Sequence, residues 1–150
     1  MRWPLEILKH NSGELNSCEI VTYASNSECV VELHMADATL MRRQGIDYEG
    51  ALFGLREELD SSSILVLCNR FRRDAFTTSM SRQMSQGLKC YIVRPHRPVD
   101  PRKLVDCLAA AMRRDVVTAK ESAQFIEQWK LRPPSSARLI WQAITKSSRE

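Results

Sequence analysis

Apolar and polar residues alternate along Cys18–Tyr23 and again along Cys29–Met35, and both runs are rich in Val and Ile. That is the two-residue period of half-buried strands. In the second run Val31, Leu33 and Met35 share one face, while Glu32 and His34 share the other. Ala24-Ser25-Asn26-Ser27 between the runs is turn chemistry, so they predict a hairpin. Leu5–Leu8 predicts a short strand ahead of them. The period then changes. Tyr48, Leu52, Leu55 and Leu59 recur at helical spacing behind Asp47, a candidate N-cap with Gly50 where a capping box would hold Glu or Gln. Ser61-Ser62-Ser63 ends this helix.

Ile64–Cys68 is a continuous apolar run, the pattern expected of a central strand covered on both faces. Ser79–Gln86 predicts a short helical turn closed by Gly87, with Met80 and Met84 on one side as expected core contacts. Leu88–Val93 predicts the next strand, which Pro95, Pro98 and Pro101 stop. Asp100 as cap and Pro101 in a first turn predict a helix with Leu104, Val105, Leu108, Ala111 and Met112 on its apolar face. Thr118 and Glu121 form a capping box for a last helix carrying Phe125, Ile126 and Trp129. The predicted order is β-β-β-α-β-β-α-α. The expected fold is an α+β domain over residues 1–132, with a mainly antiparallel sheet of about five strands and helices packed on one face. Residues 133–150 read as a linker, Pro133 to Ser136, and a short amphipathic tail helix.

Charge changes this picture, because it is segregated. Residues 1–69 carry a net −6, residues 70–114 a net +8, and the remainder +2, which together give the formal +4. Such a dipole steers charged partners and says nothing of the fold. The opening apolar stretch is too short for a secretory segment and is followed by acids and Asn, and no run reaches the ~18 residues of a membrane span. A cytoplasmic protein with no membrane contact is expected. Cys18, Cys29, Cys68, Cys90 and Cys107 are odd in number and form no CxxC pair, so core packing is the expected role and neither a metal nor a cofactor is implied.

No P-loop, GxGxxG, GxSxG or HExxH is present, and His10, His34 and His96 are far apart in sequence. Cys68 ahead of a cationic loop is a candidate nucleophile, against which stands its place at the end of a buried run. Asp74 stands alone among Arg70, Arg72, Arg73 and Arg82. It is either a general base or, the favoured reading, one half of an internal ion pair that orders the loop. Arg70, Arg72, Arg73, Arg82, Lys89 and Arg94, interleaved with Phe71, Phe76 and Tyr91, also have the composition of an RNA-binding surface. The bland alternative is that Phe71 and Phe76 anchor the loop inward.

Cys68-Asn69, Arg72-Arg73-Asp74, Met80-Ser81-Arg82 with Met84, and Gly87-Leu88-Lys89 with Tyr91 form a recognisable set. Together with Ala51-Leu52, Leu55 to Leu59 and the later Thr118, Glu121, Gln124-Phe125 and Trp129, they resemble a family of small bacterial immunity proteins of contact-dependent growth inhibition and related polymorphic toxin systems. The likeness covers about residues 18–130. It departs at positions 70–79, where the family has more Gly and a Pro and this chain has Arg70, Thr77 and Ser79. The resemblance implies a cytoplasmic protein that binds and blocks the C-terminal domain of one cognate toxin, with no cofactor and no catalysis. Inhibitors of basic toxins usually present acids. Glu28, Glu32, Asp37, Asp47, Glu49, Glu57, Glu58 and Asp60 are therefore the candidate contacts, on an acidic half expected to face away from the basic block. The alternative is a small RNA-binding protein using the basic 70–94 segment.

Overall fold

The computed structural model describes residues 1–36 and 38–131. Asp37, the predicted linker and the predicted tail helix lie outside the described residues.

The first three strands are β1 (Arg2–Lys9), β2 (Glu14–Ser25) and β3 (Glu28–Met35). The β2–β3 hairpin turns on two residues, Asn26 and Ser27, both at positive φ. That is the turn whose twist matches its strands. β4 (Ala38–Gly45) continues the meander and was not expected. Its inward positions are Met41, Arg43 and Gly45, so it lacks the apolar alternation that marks a strand. Arg43 fills its place with an aliphatic stem lying under α1 against Gly54, and its guanidinium pairs with Glu58.

α1 (Tyr48–Ser61) follows, capped by Asp47 as expected and closed at Ser62, with Ser63 at positive φ. It buries Tyr48, Ala51, Leu52, Leu55 and Leu59 against Leu5, Ile7, Cys18, Ile20, Cys29, Val31 and Leu33 of the sheet. Leu52 and Leu55 are 1% and 0% exposed; truncating either to Ala costs about 2–5 kcal/mol.

The run from Ile64 gives β5 (Ile64–Val66), which is not a central strand. The sheet order is β4-β3-β2-β1-β5, so β5 is an edge, antiparallel to β1. Leu65 and Val66 are nonetheless buried, and just beyond the strand the chain from 107 to 117 returns alongside Leu67 and Cys68. Ala111 N donates to Leu67 O, and Cys68 bridges Ala110. Cover by an irregular segment and cover by a strand leave the same apolar signature.

A second, three-stranded sheet has the order β6 (Ala75–Phe76), β7 (Lys89–Ile92), β8 (Leu104–Asp106). α2 (Ser79–Ser85) joins β6 to β7 through a Thr78–Ser81 capping box and ends in left-handed Gln86. β8 and the irregular chain behind it replace the helix expected after Pro101. Asp100 caps only a turn, accepting from Arg102 N, and Leu104-Val105-Asp106 then pairs with β7. The open edge of β7 takes a strand where local periodicity favoured a helix. α3 (Ala119–Leu131) follows Thr118, whose hydroxyl accepts from Glu121 N at 3.3 Å and donates to the Glu121 carboxylate at 3.1 Å, so one leg of the expected capping box is made. The architecture is α+β, with α1 on one face of the five-stranded sheet and α3 beside α1. No helix among the described residues is long and apolar enough to cross a membrane.

Candidate functional site

The charge segregation seen in the sequence is partly undone on folding, because two acids of the first block pair with two arginines of the second. Asp47 Oδ1 accepts from Gly50 N at 2.9 Å as the α1 cap, and its carboxylate also takes Arg82 Nε and Nη2 at 2.8 and 3.0 Å. Glu49, in the first turn of α1 and 7% exposed, receives a two-pronged guanidinium from Arg70, with Nε at 2.7 Å. The helix ends meet closely. Tyr48 N donates to Gln86 O at 2.7 Å, and a Cβ on Gly87 would fall 2.4 Å from Glu49 N. Only glycine fits there, and its φ of +88° reinforces the requirement. Burial raises the Asp47 pKa, but the Arg82 and Gly50 hydrogen bonds outweigh it and hold the carboxyl below its ordinary value. Burial likewise opposes the charge on Arg70, and Glu49 more than offsets it.

Two further cations of the basic block are also partnered. Arg72 grips Asp74 with Nε and Nη2 at 2.8 and 3.0 Å, which is the ion pair favoured for that lone acid. Lys89 Nζ donates to Asp106 at 2.9 Å. Arg73 and Arg94 are exposed, without a carboxylate partner among the described residues. Arg56, which the sequence did not single out, is buried under them. Its Nη2 donates to Phe71 O and Val117 O at 2.9 and 2.7 Å, and the guanidinium lies 5.0 Å over the Phe71 ring. Burial, and then repulsion from Arg70, lower its pKa to about 10. Phe71 is thus an inward anchor, 3% exposed.

Among the candidate acids, Asp60 accepts from Ala119 N at 2.8 Å and Glu58 pairs with Arg43, so Asp47, Glu49, Glu58 and Asp60 all serve the fold. They do not form a face turned away from the basic block; two of them lie against it. Glu32 lies on the outer face of the sheet. It accepts from Tyr23 Oη and meets His34 Nε2 at 2.7 Å, with Thr39 and Arg42 at its flanks. The Tyr23 hydrogen bond, then that of His34, lower its pKa. Glu28 and Glu57 make no ion pair among the described residues. Glu28 begins β3 beside Gly45, from which the chain passes through Ile46 into α1.

Cys68 is fully buried, and burial pushes its thiol up to about 12, far from the thiolate a nucleophile needs. Asp74 is held by Arg72. All five cysteines are free and buried. Cys107 Sγ donates to Gly87 O at 3.6 Å, and Cys90 and Cys107 face each other from β7 and the end of β8. Among the described residues no group of three or more His, Cys, Asp or Glu is placed to hold a metal ion.

Met80 and Met84 are not core contacts: they are 66% and 73% exposed, because α2 turns Ser81, Arg82 and Ser85 inward. On α1, Phe53 and Glu57 lie along the outer stripe with Gly50, and Ile46 precedes the cap; Ile46 and Phe53 are 91% and 57% exposed. The helix pattern contained this second stripe, but the stronger inner one masked it. The sequence matches no known protein family and no curated protein.

Proposed function

We propose that this chain is an immunity protein, which docks on the C-terminal domain of one cognate bacterial toxin in the cytoplasm and blocks it. The observation that carries this reading is the outer stripe of α1. Phe53 faces solvent with Glu57 one turn further along the same stripe, Ile46 is exposed just ahead of the helix cap, and Glu28 sits at the start of β3; neither carboxylate has an ion-pair partner among the described residues. An apolar centre with a charged rim is the anatomy of a protein–protein contact. The rim selects a partner presenting cations, and its charges set the encounter rate more than the final affinity. Exposed Met80 and Met84 on the neighbouring helix offer adaptable apolar surface. Of the acids the sequence nominated, Glu28 and Glu57 remain the contact candidates, and Asp47, Glu49, Glu58 and Asp60 have structural duties instead.

The test is co-expression of the full chain with the toxin domain encoded by the neighbouring gene. Rescue of growth is expected, and Phe53→Asp is expected to abolish rescue while leaving the melting transition close to that of the wild type, since Phe53 is exposed. Failure of the wild-type chain to protect the cells ends the proposal. Protection that survives Phe53→Asp and Ile46→Asp together removes α1 as the contact.

A further inference from the structure

The connection between β7 and β8, residues 94–103, gathers several cations that the fold leaves without a carboxylate partner. Arg94, Arg97 and Lys103 have no carboxylate within reach among the described residues. The single acid, Asp100, is occupied by Arg102, through its backbone N–H at 3.0 Å and its Nε at 3.3 Å. Arg94, His96, Arg97 and Lys103, with Asp100, line an open groove of about 800 Å³. The loop is held in shape. Trp129 Nε1 of α3 donates to the carbonyl oxygens of Arg94 and Arg97 at 3.1 and 3.0 Å, Arg97 N closes a turn on Arg94 O, and three prolines restrict the backbone. Half-buried Phe125 and Trp129 line a small recess with Pro95 and His96 at one end, an aromatic shelf in which Trp129 also packs on Phe76, ring centroids 5.4 Å apart.

We propose that this groove binds single-stranded RNA, with Arg94, Arg97 and Lys103 on successive phosphates and the Phe125–Trp129 shelf taking a base. Guanidinium and ammonium groups with nothing to neutralise them internally suit a polyanion, and a loop already pinned loses little freedom on binding it. An aromatic shelf beside a cationic track is how single strands are held without sequence preference: the base stacks while the backbone is neutralised. An acidic peptide would use the cations but gain nothing from the shelf. The RNA-binding composition of the sequence thus moves from the 70–89 block, whose cations are mostly used internally, to the segment that follows it. The site shares no residue with the outer stripe of α1 and does not rest on the toxin-binding reading.

The experiment is fluorescence anisotropy of a labelled 12-nucleotide oligouridylate titrated with the full chain at several salt concentrations. Binding is expected to weaken with salt at a log–log slope of about −2, the value for three phosphates on a single strand. The Arg94→Ala/Arg97→Ala/Lys103→Ala variant is expected to bind at least tenfold more weakly with a nearly flat slope, while Arg114→Ala, an exposed cation on another segment, binds as the wild type does. No binding at low salt overturns the proposal. So does an equal loss in the Arg114 variant, which means diffuse electrostatics. Poly-L-glutamate displacing the RNA at lower concentration than unlabelled oligouridylate also overturns it, in favour of an acidic protein partner.

Discussion

Arg70 and Arg97 stand 27 positions apart in one cationic stretch, and the fold puts them to opposite uses. Arg70 lies in the junction where the N terminus of α1 meets the end of α2, with its guanidinium locked on buried Glu49. Arg97 lies in a loop whose backbone is fixed by Trp129 and whose charge meets only solvent. In the junction each charge has its opposite within hydrogen-bond reach, so the local field is spent inside the molecule. In the loop the one acid, Asp100, is taken by Arg102, and Arg94 and Arg97 are left without a carboxylate partner among the described residues. Charge counted along a sequence therefore does not locate a charged surface; what matters is which carboxylates the fold brings up against each cation.

The largest effect should come from breaking the junction. Arg70→Ala leaves a carboxylate 7% exposed with no cation, and unpartnered buried charges cost about 3–5 kcal/mol. Urea unfolding at neutral pH should show a loss of that size. Replacing both partners with apolar residues, Glu49→Leu with Arg70→Met, should recover most of it, since the desolvation penalty goes with the charges. If Arg70→Ala unfolds within 1 kcal/mol of the wild type, the junction and the loop do not differ in kind.

The elements that were legible in the sequence are those where local pattern and tertiary need agree. α1 has an apolar stripe, a capping Asp47 and a terminal serine run, and all three point the same way. The hairpin has alternation and turn residues together. Reading failed where a neighbour decided the outcome. β4 carries Arg43 at an inward position because α1 shelters its stem, and nothing near residue 43 announces that. Leu104 to Met112 has a helical apolar spacing, yet the open edge of β7 and the uncovered flank of β5 claim it. The site residues divide in the same way. Asp74 with Arg72 is a contact two residues apart and was readable. Arg70 with Glu49 and Arg82 with Asp47 close over 21 and 35 residues, and a lone sequence carries no sign of such pairing. Those long-range pairs removed Asp47 and Glu49 from the candidate contact surface.

A smaller effect should separate the two roles of Asp47. Asp47→Asn keeps a side-chain oxygen for the α1 cap, because Asn is as good an N-cap as Asp. It loses the charge that holds Arg82. Arg82 is partly exposed, so solvent screening limits this term to about 1 kcal/mol at neutral pH. Its pH dependence has a definite sign. The folded carboxyl has a lowered pKa, so its contribution is complete above the unfolded carboxylate value of about 3.9 and fades as pH falls through the lower folded value. The stability gap between wild type and Asp47→Asn should therefore be open at pH 6 and close progressively below pH 4. A gap that persists unchanged into acid would mean that the cap geometry, and not the ion pair, was lost.

The smallest effect on stability is expected where the proposed binding effect is largest. Arg94→Ala with Arg97→Ala removes two charges from the loop and breaks no hydrogen bond of its frame, because the indole of Trp129 is bound to the carbonyl oxygens of those residues and not to their side chains. Exposed substitutions away from caps and buried contacts usually stay within about 0.5 kcal/mol. Relieving repulsion among Arg94, Arg97 and Lys103 pulls the change toward slight stabilisation, the more so at low salt. An urea midpoint equal to or above that of the wild type at low ionic strength is the expected result. A clear loss of stability would mean that these guanidinium groups are tied into the structure, and the contrast with Arg70 would then rest on degree of burial alone.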